Sequence, residues 1–128
     1  PTPGLYALDI ETGERRWKYS RGSRCPDLEC VFGFSAAIIA SNDIVVAGSM
    51  DGILEVIAAE SGKRLWSHDS WRDYRSVNNV VTSGGAFDAH GAMIADDLLL
   101  VSSGYSYVGQ QRGGNAFLVF QIGVDDEQ

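Results

Sequence analysis

The hexapeptide Thr-Gly-Glu-Arg-Arg-Trp at residues 12–17 recurs as Ser-Gly-Lys-Arg-Leu-Trp at residues 61–66, which places the two tryptophans 49 residues apart. The similarity extends backwards, because the strand-like stretch Leu5–Leu8 aligns with Leu54–Ile57 ahead of the second copy. A repeat of about fifty residues that is built from short apolar stretches is typical of a β-propeller blade. Two copies in 128 residues predict a partial propeller.

Composition excludes several classes of function. The chain carries 17 acidic and 10 basic residues, a net charge of −7, which argues against nucleic-acid binding because such binding needs a basic surface. The longest apolar runs, such as Ala36–Ala40, are far shorter than the roughly 20 residues of a membrane-spanning helix. The chain begins at Pro1 without a signal peptide, and we expect it to be part of a longer protein.

Short apolar stretches alternate with turn signals, which predicts an all-β fold of four-stranded antiparallel blades. Residues 1–20 are predicted to hold the last two strands of one blade, residues 34–68 a complete blade, and residues 86–122 a final blade without its outer strand. Residues 123–128 form an acidic tail. The predicted strands are Leu5–Ile10, Arg15–Ser20, Phe34–Ala40, Ile44–Gly48, Ile53–Ala59, Arg64–His68, Ala86–Ala95, Leu98–Ser103 and Ala116–Ile122. They amount to about two and a quarter blades.

Three long connections, Arg21–Gly33, Asp69–Gly85 and Gly104–Asn115, are predicted to lie on one face of the blades. The short turns Glu11–Gly13, Ser41–Asp43, Glu60–Gly62 and Asp96-Asp97 are predicted to lie on the other. Long loops on a rigid scaffold are where binding usually takes place, although they can also be plain connectors. The glycine-rich segment Gly104–Gly114 is either a lid over a planar ligand or a loose hairpin. The missing outer strand suggests the end of a closed propeller.

Few side chains in the sequence suggest chemistry. Trp17 and Trp66 are expected to seal neighbouring blades, each with its indole N–H on a backbone acceptor. Trp71, in a long connection, either lines a site or braces its loop. Asp88 and His90 follow the flexible pair Gly84-Gly85, and alternation along a strand would put both on one face, as a base with its orienting partner or as an inner-strand pair.

The two cysteines, Cys25 and Cys30, lie in one loop, where they are either free thiols or a local disulfide that implies an oxidising compartment. No metal site is predicted, because neither His68 nor His90 has the spacing of a metal ligand.

The pattern Ala7-x-Asp9-x-x-Thr12-Gly13-x-x-x-Trp17 resembles the tryptophan-docking motif of quinoprotein dehydrogenases, eight-bladed propellers that bind pyrroloquinoline quinone (PQQ). The same repeat occurs in PQQ-like propellers that bind no quinone, including an outer-membrane assembly lipoprotein. The second copy departs from the motif, with Val56 in place of Ala and Ala58 in place of Asp.

Later motifs are similar to the C-terminal blades of polyvinyl-alcohol-dehydrogenase-type quinoproteins: Gly33–Ala37, Ala47–Gly52, Val77-Asn78, Gly84–Asp88, Ser102–Tyr105 and the closing strand Ala116–Ile122. The resemblance implies a periplasmic or secreted enzyme that oxidises alcohols with PQQ and calcium and passes electrons to a cytochrome c. It places the catalytic aspartate and the calcium ligands in earlier blades. The residues that would approach the cofactor cavity are Phe32, Gly33, Phe34, Asp88, Tyr105, Gln110 and Gln111.

The resulting hypothesis is a C-terminal fragment of a PQQ-dependent alcohol-oxidising quinoprotein that is inactive alone and pairs with the remaining blades of its parent chain. One alternative is a non-catalytic PQQ-like segment that serves as a protein-interaction scaffold. Another is a small protein that completes a propeller by oligomerisation, because Leu5–Ile10 and Ala116–Ile122 would be open edges that invite pairing with another copy.

Overall fold

The computed structural model describes residues 2–25, 31–106 and 111–123, and these residues form strands and turns without a helix. None of them forms a helix that is long and apolar enough to cross a membrane. The prediction of an all-β chain is therefore confirmed for the described residues. The strands are β1 (Leu5–Leu8), β2 (Arg15–Tyr19), β3 (Ile39–Ala40), β4 (Ile44–Gly48), β5 (Ile53–Ala58), β6 (Arg64–Asp69), β7 (Asp73–Arg75), β8 (Val81–Ser83), β9 (Met93–Ala95), β10 (Leu98–Ser103) and β11 (Ala116–Gln121).

The strands pair in chain order into small antiparallel sheets, as in the blades of a partial propeller. Strands β1 and β2 form a pair, β3 to β6 form a four-stranded sheet, and β9 to β11 form a three-stranded sheet. A further hairpin, β7–β8, stands between the last two sheets in the sequence. Short connections between neighbours make this up-and-down order the simplest outcome for such a chain.

The four-stranded sheet is apolar on both of its faces. On one face, Val46 and Leu54 belong to a core that also contains Phe87, Leu99 and Val101. On the other face, Val45, Ala47 and Ile57 pack with Leu5 of β1 and, at the margin of the core, with Trp17. A strand that is buried on both faces reads as a continuous apolar run, which explains the Ile-Val-Val-Ala-Gly sequence of β4.

Trp17 of β2 bridges the first pair and the four-stranded sheet. Its indole Nε1 donates to the carbonyl oxygen of Ala59 at 2.8 Å. The ring lies against Gly62, where an added Cβ would come within 2.7 Å of it. Trp66 occupies the corresponding place on β6 but is 38% exposed, with its ring edge-on to Phe120 of β11 at 5.0 Å.

Two predicted strands are much shorter in the structure. The predicted strand Phe34–Ala40 pairs only at Ile39–Ala40, and the predicted strand Ala86–Ala95 pairs only at Met93–Ala95. The intervening segments approach each other instead, because Ala37 N–H donates to the carbonyl of Ala89 at 3.4 Å. Ala89 itself has φ of 62°, a left-handed conformation that interrupts a strand.

The hairpin β7–β8 was not predicted, because residues 69–85 were interpreted as one long loop. Its three pairs join Asp73 to Ser83, Tyr74 to Thr82 and Arg75 to Val81. Each strand has only three residues and few apolar side chains, so neither gives the apolar alternation by which strands are recognised in a sequence.

Candidate functional site

The structure brings together the three connections that the sequence marked as long. The end of the third is tied to β8 of the second, because Asn115 N–H donates to the Ser83 carbonyl at 2.7 Å and Ser83 N–H donates to Asn115 Oδ1 at 2.9 Å. Between the first and second, Arg24 forms an ion pair with Asp69 at 2.5 Å. The candidate site is therefore a junction of loops held by backbone and side-chain hydrogen bonds.

Two buried serines fix the centre of this junction. Ser70 Oγ donates to the carbonyls of Gly52 at 2.9 Å and Gly85 at 2.8 Å. Ser103 Oγ lies 2.8 Å from Ser70 Oγ and accepts from Gly85 N–H at 2.9 Å. Because each hydroxyl both donates and accepts, the pair ties the residue that follows β6, the end of β10 and the segment after β8 to one point.

Gly84 and Gly85 are required by close packing at the junction. A Cβ on Gly84 would lie 2.0 Å from the Ser70 carbonyl oxygen, and one on Gly85 would lie 2.2 Å from that of Arg112. Both residues are buried, and Gly84 N–H donates to the Arg72 carbonyl at 2.8 Å. The two glycines were expected to be a flexible pair, and this expectation is wrong. They lack side chains because neighbouring backbone packs directly against them.

Some of the predicted cofactor-side residues lie around Met50. Its backbone N–H donates to the carbonyl of Gly33 at 2.9 Å, and its sulfur accepts from Gln111 Nε2 at 3.2 Å. Gln111 is 8% exposed, and its Oε1 accepts from Ser106 Oγ at 3.0 Å. The described ends of the Gly104–Gly114 segment are thus anchored, since Gly114 N–H also donates to the Gly104 carbonyl at 2.8 Å.

The predicted aromatic residues fall into two separate contacts. Phe32 and Phe34 meet edge to face at 5.9 Å. Tyr105, which is 45% exposed, meets His90 edge to face at 5.0 Å. Tyr105 also lines an open cavity of about 470 Å³, of mixed polar and apolar lining, at the end of β10 and the start of β11. Gln110 lies outside the described residues.

Asp88 and His90 do not share one face. Asp88 is 4% exposed and its Oδ1 accepts from the backbone N–H of Ala89, whereas His90 is exposed. The left-handed Ala89 between them breaks the alternation on which the prediction rested. A base and its orienting partner would have to contact each other, so the paired role is not supported by the geometry.

A buried charged network beside the junction was missed by the sequence reasoning. Arg21 lies between two fully buried carboxylates, with Nη2 2.7 Å from Asp51 Oδ1 and Nε 3.0 Å from Glu55 Oε2. Its guanidinium also donates to Ser49 Oγ at 2.7 Å and lies 4.7 Å from the centre of the Phe32 ring. The signal in the sequence was Glu55 within the apolar strand Ile53–Ala58, because a buried charge needs a partner.

The network shifts the pKa values of Asp51 and of Tyr19 in opposite directions. Burial alone would raise the pKa of Asp51, but hydrogen bonds from Arg21 and Ser49 outweigh it and hold the pKa below its usual range. Burial and the hydrogen bond to Glu55 raise the pKa of Tyr19 to about 12. Every buried side-chain nitrogen or oxygen among the described residues has a partner, so the network is a closed one.

Trp71 lies between two arginines at the edge of the junction. The guanidinium carbon of Arg24 is 5.0 Å from the ring centre and that of Arg112 is 6.0 Å away. Arg112 also donates to the Trp71 carbonyl at 3.1 Å. Of the two alternatives for Trp71, these contacts favour a brace between loops. Cys25, which follows Arg24, is disulfide-bonded, and Cys30 lies outside the described residues.

The described part of the chain contains no group of three or more His, Cys, Asp or Glu side chains that could hold a metal ion. The junction instead offers aromatic edges, hydroxyl groups and one anchored amide, which are groups that bind and orient a ligand. Such groups can form part of the wall of a binding cavity.

Comparison with known proteins gives a consistent result. The family model described as "Outer membrane protein assembly factor BamB", a PQQ-type repeat model, matches residues 2–118. Polyvinylalcohol dehydrogenase of Sphingopyxis sp. (strain 113P3) is 32% identical over 88% of this chain and 18% of its own length. Polyvinylalcohol dehydrogenase of a Pseudomonas species is 33% identical over 94% of this chain and 20% of its own length.

A third relative is the quinohemoprotein alcohol dehydrogenase ADH-IIG of Pseudomonas putida, which is 33% identical over 76% of this chain and 16% of its own length. The chain therefore spans no more than 20% of the length of each of these relatives, although the matches cover most of the chain itself.

Proposed function

Because the chain belongs to the PQQ-like repeat family, we propose that it forms part of the propeller wall of a PQQ-dependent alcohol-oxidising quinoprotein. The observation that carries this proposal is the similarity to two polyvinylalcohol dehydrogenases over 88% and 94% of the chain. The chain would be a C-terminal fragment of that enzyme and would be inactive without the rest of it.

The residues of the junction fit one side of a cavity for a planar quinone. When bound, PQQ would supply the two-electron oxidation of an alcohol to a carbonyl compound by taking up two electrons and two protons. Phe32, Phe34 and Tyr105 would contribute aromatic edges, and Gln111 an amide already fixed by Met50 and Ser106. Arg21 is occupied by Asp51 and Glu55 and is not available for a ligand carboxylate. We therefore assign these residues to positioning and leave proton transfer to other blades.

The remaining blades of the parent protein would complete the structure around two open features. Strand β11 pairs only with β10 among the described strands, and it exposes Phe117 and Val119. An apolar groove of about 480 Å³ lies beside it, lined by Trp66, Val56, Leu99 and Phe120 among others. Calcium would be held by residues of the other blades, and a cytochrome c would accept the electrons.

Export to the periplasm or secretion is part of the proposal. The disulfide at Cys25 supports it, because disulfides persist in oxidising compartments. A matching signal peptide on the parent protein would be the direct test.

A non-catalytic interaction scaffold is the second candidate, and the observation that favours it is the description of the matching family model as an outer membrane protein assembly factor. Quinone binding distinguishes the two candidate functions, because only the enzyme requires it. The parent protein would be titrated with PQQ and calcium by fluorescence, and reduction of a dye would then be followed with polyvinyl alcohol and with small alcohols. Saturable PQQ binding with alcohol-dependent dye reduction supports the enzyme, whereas absence of PQQ binding would overturn it.

The cofactor-side role of this chain has its own test in the same protein. We expect Gln111→Ala to weaken PQQ binding several-fold, because it frees Ser106 and Met50 from the amide. The control is Gln121→Ala, because Gln121 lies outside the junction. Its side chain is exposed, and its Nε2 donates to Asp97 Oδ2 at 3.0 Å. Equal PQQ affinities of the two variants would contradict the placement of Gln111.

A further inference from the structure

The turn between β4 and β5, residues 49–52, contacts all three long connections of the junction. The contacts are Asp51 with Arg21 of the first connection at 2.7 Å, Gly52 with Ser70 of the second at 2.9 Å, and Met50 with Gln111 of the third at 3.2 Å. The turn itself is closed by Gly52 N–H, which donates to the Ser49 carbonyl at 3.0 Å. A short turn within the four-stranded sheet therefore holds together loops that are far apart in the sequence.

Met50 is the member of this turn that reaches two predicted cofactor-side residues at once. Its N–H donates to the carbonyl of Gly33 at 2.9 Å, and its sulfur accepts from Nε2 of Gln111 at 3.2 Å. Its terminal methyl group packs on Gly33, where an added Cβ would lie only 3.1 Å away. Gly33 and Gln111 belong to different connections, so one residue of the turn sets the position of both.

The sulfur of Met50 determines which way round the Gln111 amide lies. A carboxamide has a donor end and an acceptor end, and the hydroxyl of Ser106, on the other side of the amide, can donate or accept. A thioether sulfur can only accept. The amide nitrogen therefore faces Met50, and the amide oxygen accepts from Ser106 Oγ at 3.0 Å. Of the two neighbours, Met50 is the one that selects this orientation.

Packing alone does not require a methionine at position 50. Leucine has nearly the same volume, and exchanges between these two residues are among the best tolerated in protein interiors. The feature that leucine lacks is the acceptor. Because Gln111 is 8% exposed, loss of the acceptor would leave its amide N–H unsatisfied, and the side chain would turn over or leave its place.

We propose that Met50 is a positioning residue of the cofactor-side wall, whose sulfur fixes the donor end of the Gln111 amide and whose N–H fixes Gly33. That this wall binds PQQ rests on the proposed function, whereas the anchoring of Gln111 does not. A group that is held in its binding orientation before the ligand arrives loses little conformational entropy on binding. Met50 itself acts on the ligand only through Gln111 and Gly33.

The test compares two substitutions of Met50 in the full-length protein. Met50→Leu keeps the apolar volume and removes the acceptor, whereas Met50→Gln keeps the length of the side chain and provides an amide oxygen that accepts. We expect Met50→Leu to weaken PQQ binding about fivefold in a fluorescence titration, and Met50→Gln to restore the affinity to within about twofold of the unmodified protein. A residue that only fills space gives the opposite order, because a buried glutamine is a poor filler.

Met93→Leu is the matched control, because Met93 is the other methionine of the chain and lies on β9 with 57% of its surface exposed. This variant should bind PQQ as the unmodified protein does. The second measurement is hydrogen exchange, read by mass spectrometry, on protein prepared without PQQ. In Met50→Leu, the peptide that contains Ser106 and Gln111 should exchange severalfold faster. The peptide that contains Gly33 should be unchanged, because the backbone hydrogen bond from residue 50 remains.

The outcomes distinguish this inference from the proposed function. Failure of the unmodified protein to bind PQQ overturns the proposed function, and hydrogen exchange without PQQ then still decides the role of Met50. Unchanged exchange around Gln111 in Met50→Leu overturns the role of the sulfur. Normal PQQ binding by Met50→Leu together with poor binding by Met50→Gln overturns it as well, since that order indicates packing.

Discussion

Glycine at position 62 meets two structural requirements, and glycine at position 13 meets only the first of them. Both residues are in the left-handed region, with φ of 72° and 73°. Around Gly13 nothing lies within 4 Å of an added Cβ, whereas at Gly62 that atom would lie 2.7 Å from the Trp17 ring. Substitution of either glycine therefore costs the same backbone strain, but only substitution of Gly62 also disturbs the contact with Trp17.

We expect Gly13→Ala to lower the free energy of unfolding by roughly 1–2 kcal/mol, the cost of a side chain in the left-handed region. Gly62→Ala should cost about 1–3 kcal/mol more, because the ring of Trp17 must move. Urea unfolding of both variants measures the difference. Equal losses would show that the indole does not depend on the missing side chain.

Arg21 is the residue on which the buried charges depend. Its side chain is 15% exposed, and the carboxylates of Asp51 and Glu55 are fully buried. Arg21→Met should lower the free energy of unfolding by about 3–5 kcal/mol, because buried Asp51 loses its ion pair and Glu55 keeps only the longer ion pair with Arg64 at 3.7 Å.

The matched control is Arg24→Met, which removes the ion pair with Asp69, whose two side chains are 34% and 47% exposed. This change should cost less than about 1 kcal/mol. Thermal unfolding at neutral pH distinguishes the two variants. Similar melting temperatures would mean that Arg21 is not needed to neutralise the network.

At the scale of the strands, Tyr19 links β2 to β5 through Glu55, and this link should fail at high pH. The folded chain keeps the neutral phenol, because burial and Glu55 raise the pKa of Tyr19 from 10.0 to about 12. Above pH 10 the unfolded chain loses this proton and the folded chain retains it. The stability from Tyr19 is therefore fully present below pH 10 and is lost as pH rises through about 12.

We expect urea midpoints measured from pH 9 to 12 to fall less steeply for Tyr19→Phe than for the unmodified chain. The slope should not vanish, because burial also raises the pKa of Tyr74. Tyr6→Phe, which changes an exposed ring on β1, is the control. Parallel slopes for Tyr19→Phe and the unmodified chain would contradict the coupling.

Strands were predictable from the sequence where side chains follow a simple rule. Strands β4 and β10 have the predicted ends, because apolar runs between turn residues coincide with the hydrogen-bonded ladder. The predicted strand Phe34–Ala40 was too long. Phe34 and Ala36 are apolar because they pack against the cores, but they pair with no strand. The hairpin β7–β8 was missed because its side chains are mostly polar.

The candidate site was predictable as a place but not in its chemistry. Turn lengths alone put the long connections on one side, and the structure joins them through the Arg24–Asp69 ion pair and the hydrogen bonds between Ser83 and Asn115. Glu55 in an apolar strand signals a buried charge, but its partner Arg21 was not predictable, since the two lie 34 residues apart and no pattern in one chain reports such a pairing. The prediction that Asp88 and His90 share one face was wrong because Ala89, between them, is in the left-handed conformation.

At the scale of the whole molecule, the sheets form a series in which each one contacts its neighbour. The four-stranded sheet contributes one face to the core with Leu5 and the other to the core with Phe87 and Leu99. The resemblance to PQQ-like propellers is confirmed by the family match over residues 2–118. In such an arrangement, stability is close to a sum of sheet terms and nearest-neighbour terms.

This view predicts that Trp17 and Trp66 stabilise different interfaces. Trp17→Ala removes the hydrogen bond to Ala59 and the contact with Gly62, so amides of β1 and β2 should exchange with deuterium at least tenfold faster. Amides of β10 and β11 should be unchanged, because their interface is on the other face of the four-stranded sheet. Trp66→Ala, which loses the contact with Phe120, should speed exchange of the β10 and β11 amides and leave those of β1 and β2 unchanged. Hydrogen exchange read by mass spectrometry resolves both sets, and a uniform loss of protection in either variant would mean that the sheets unfold as one unit.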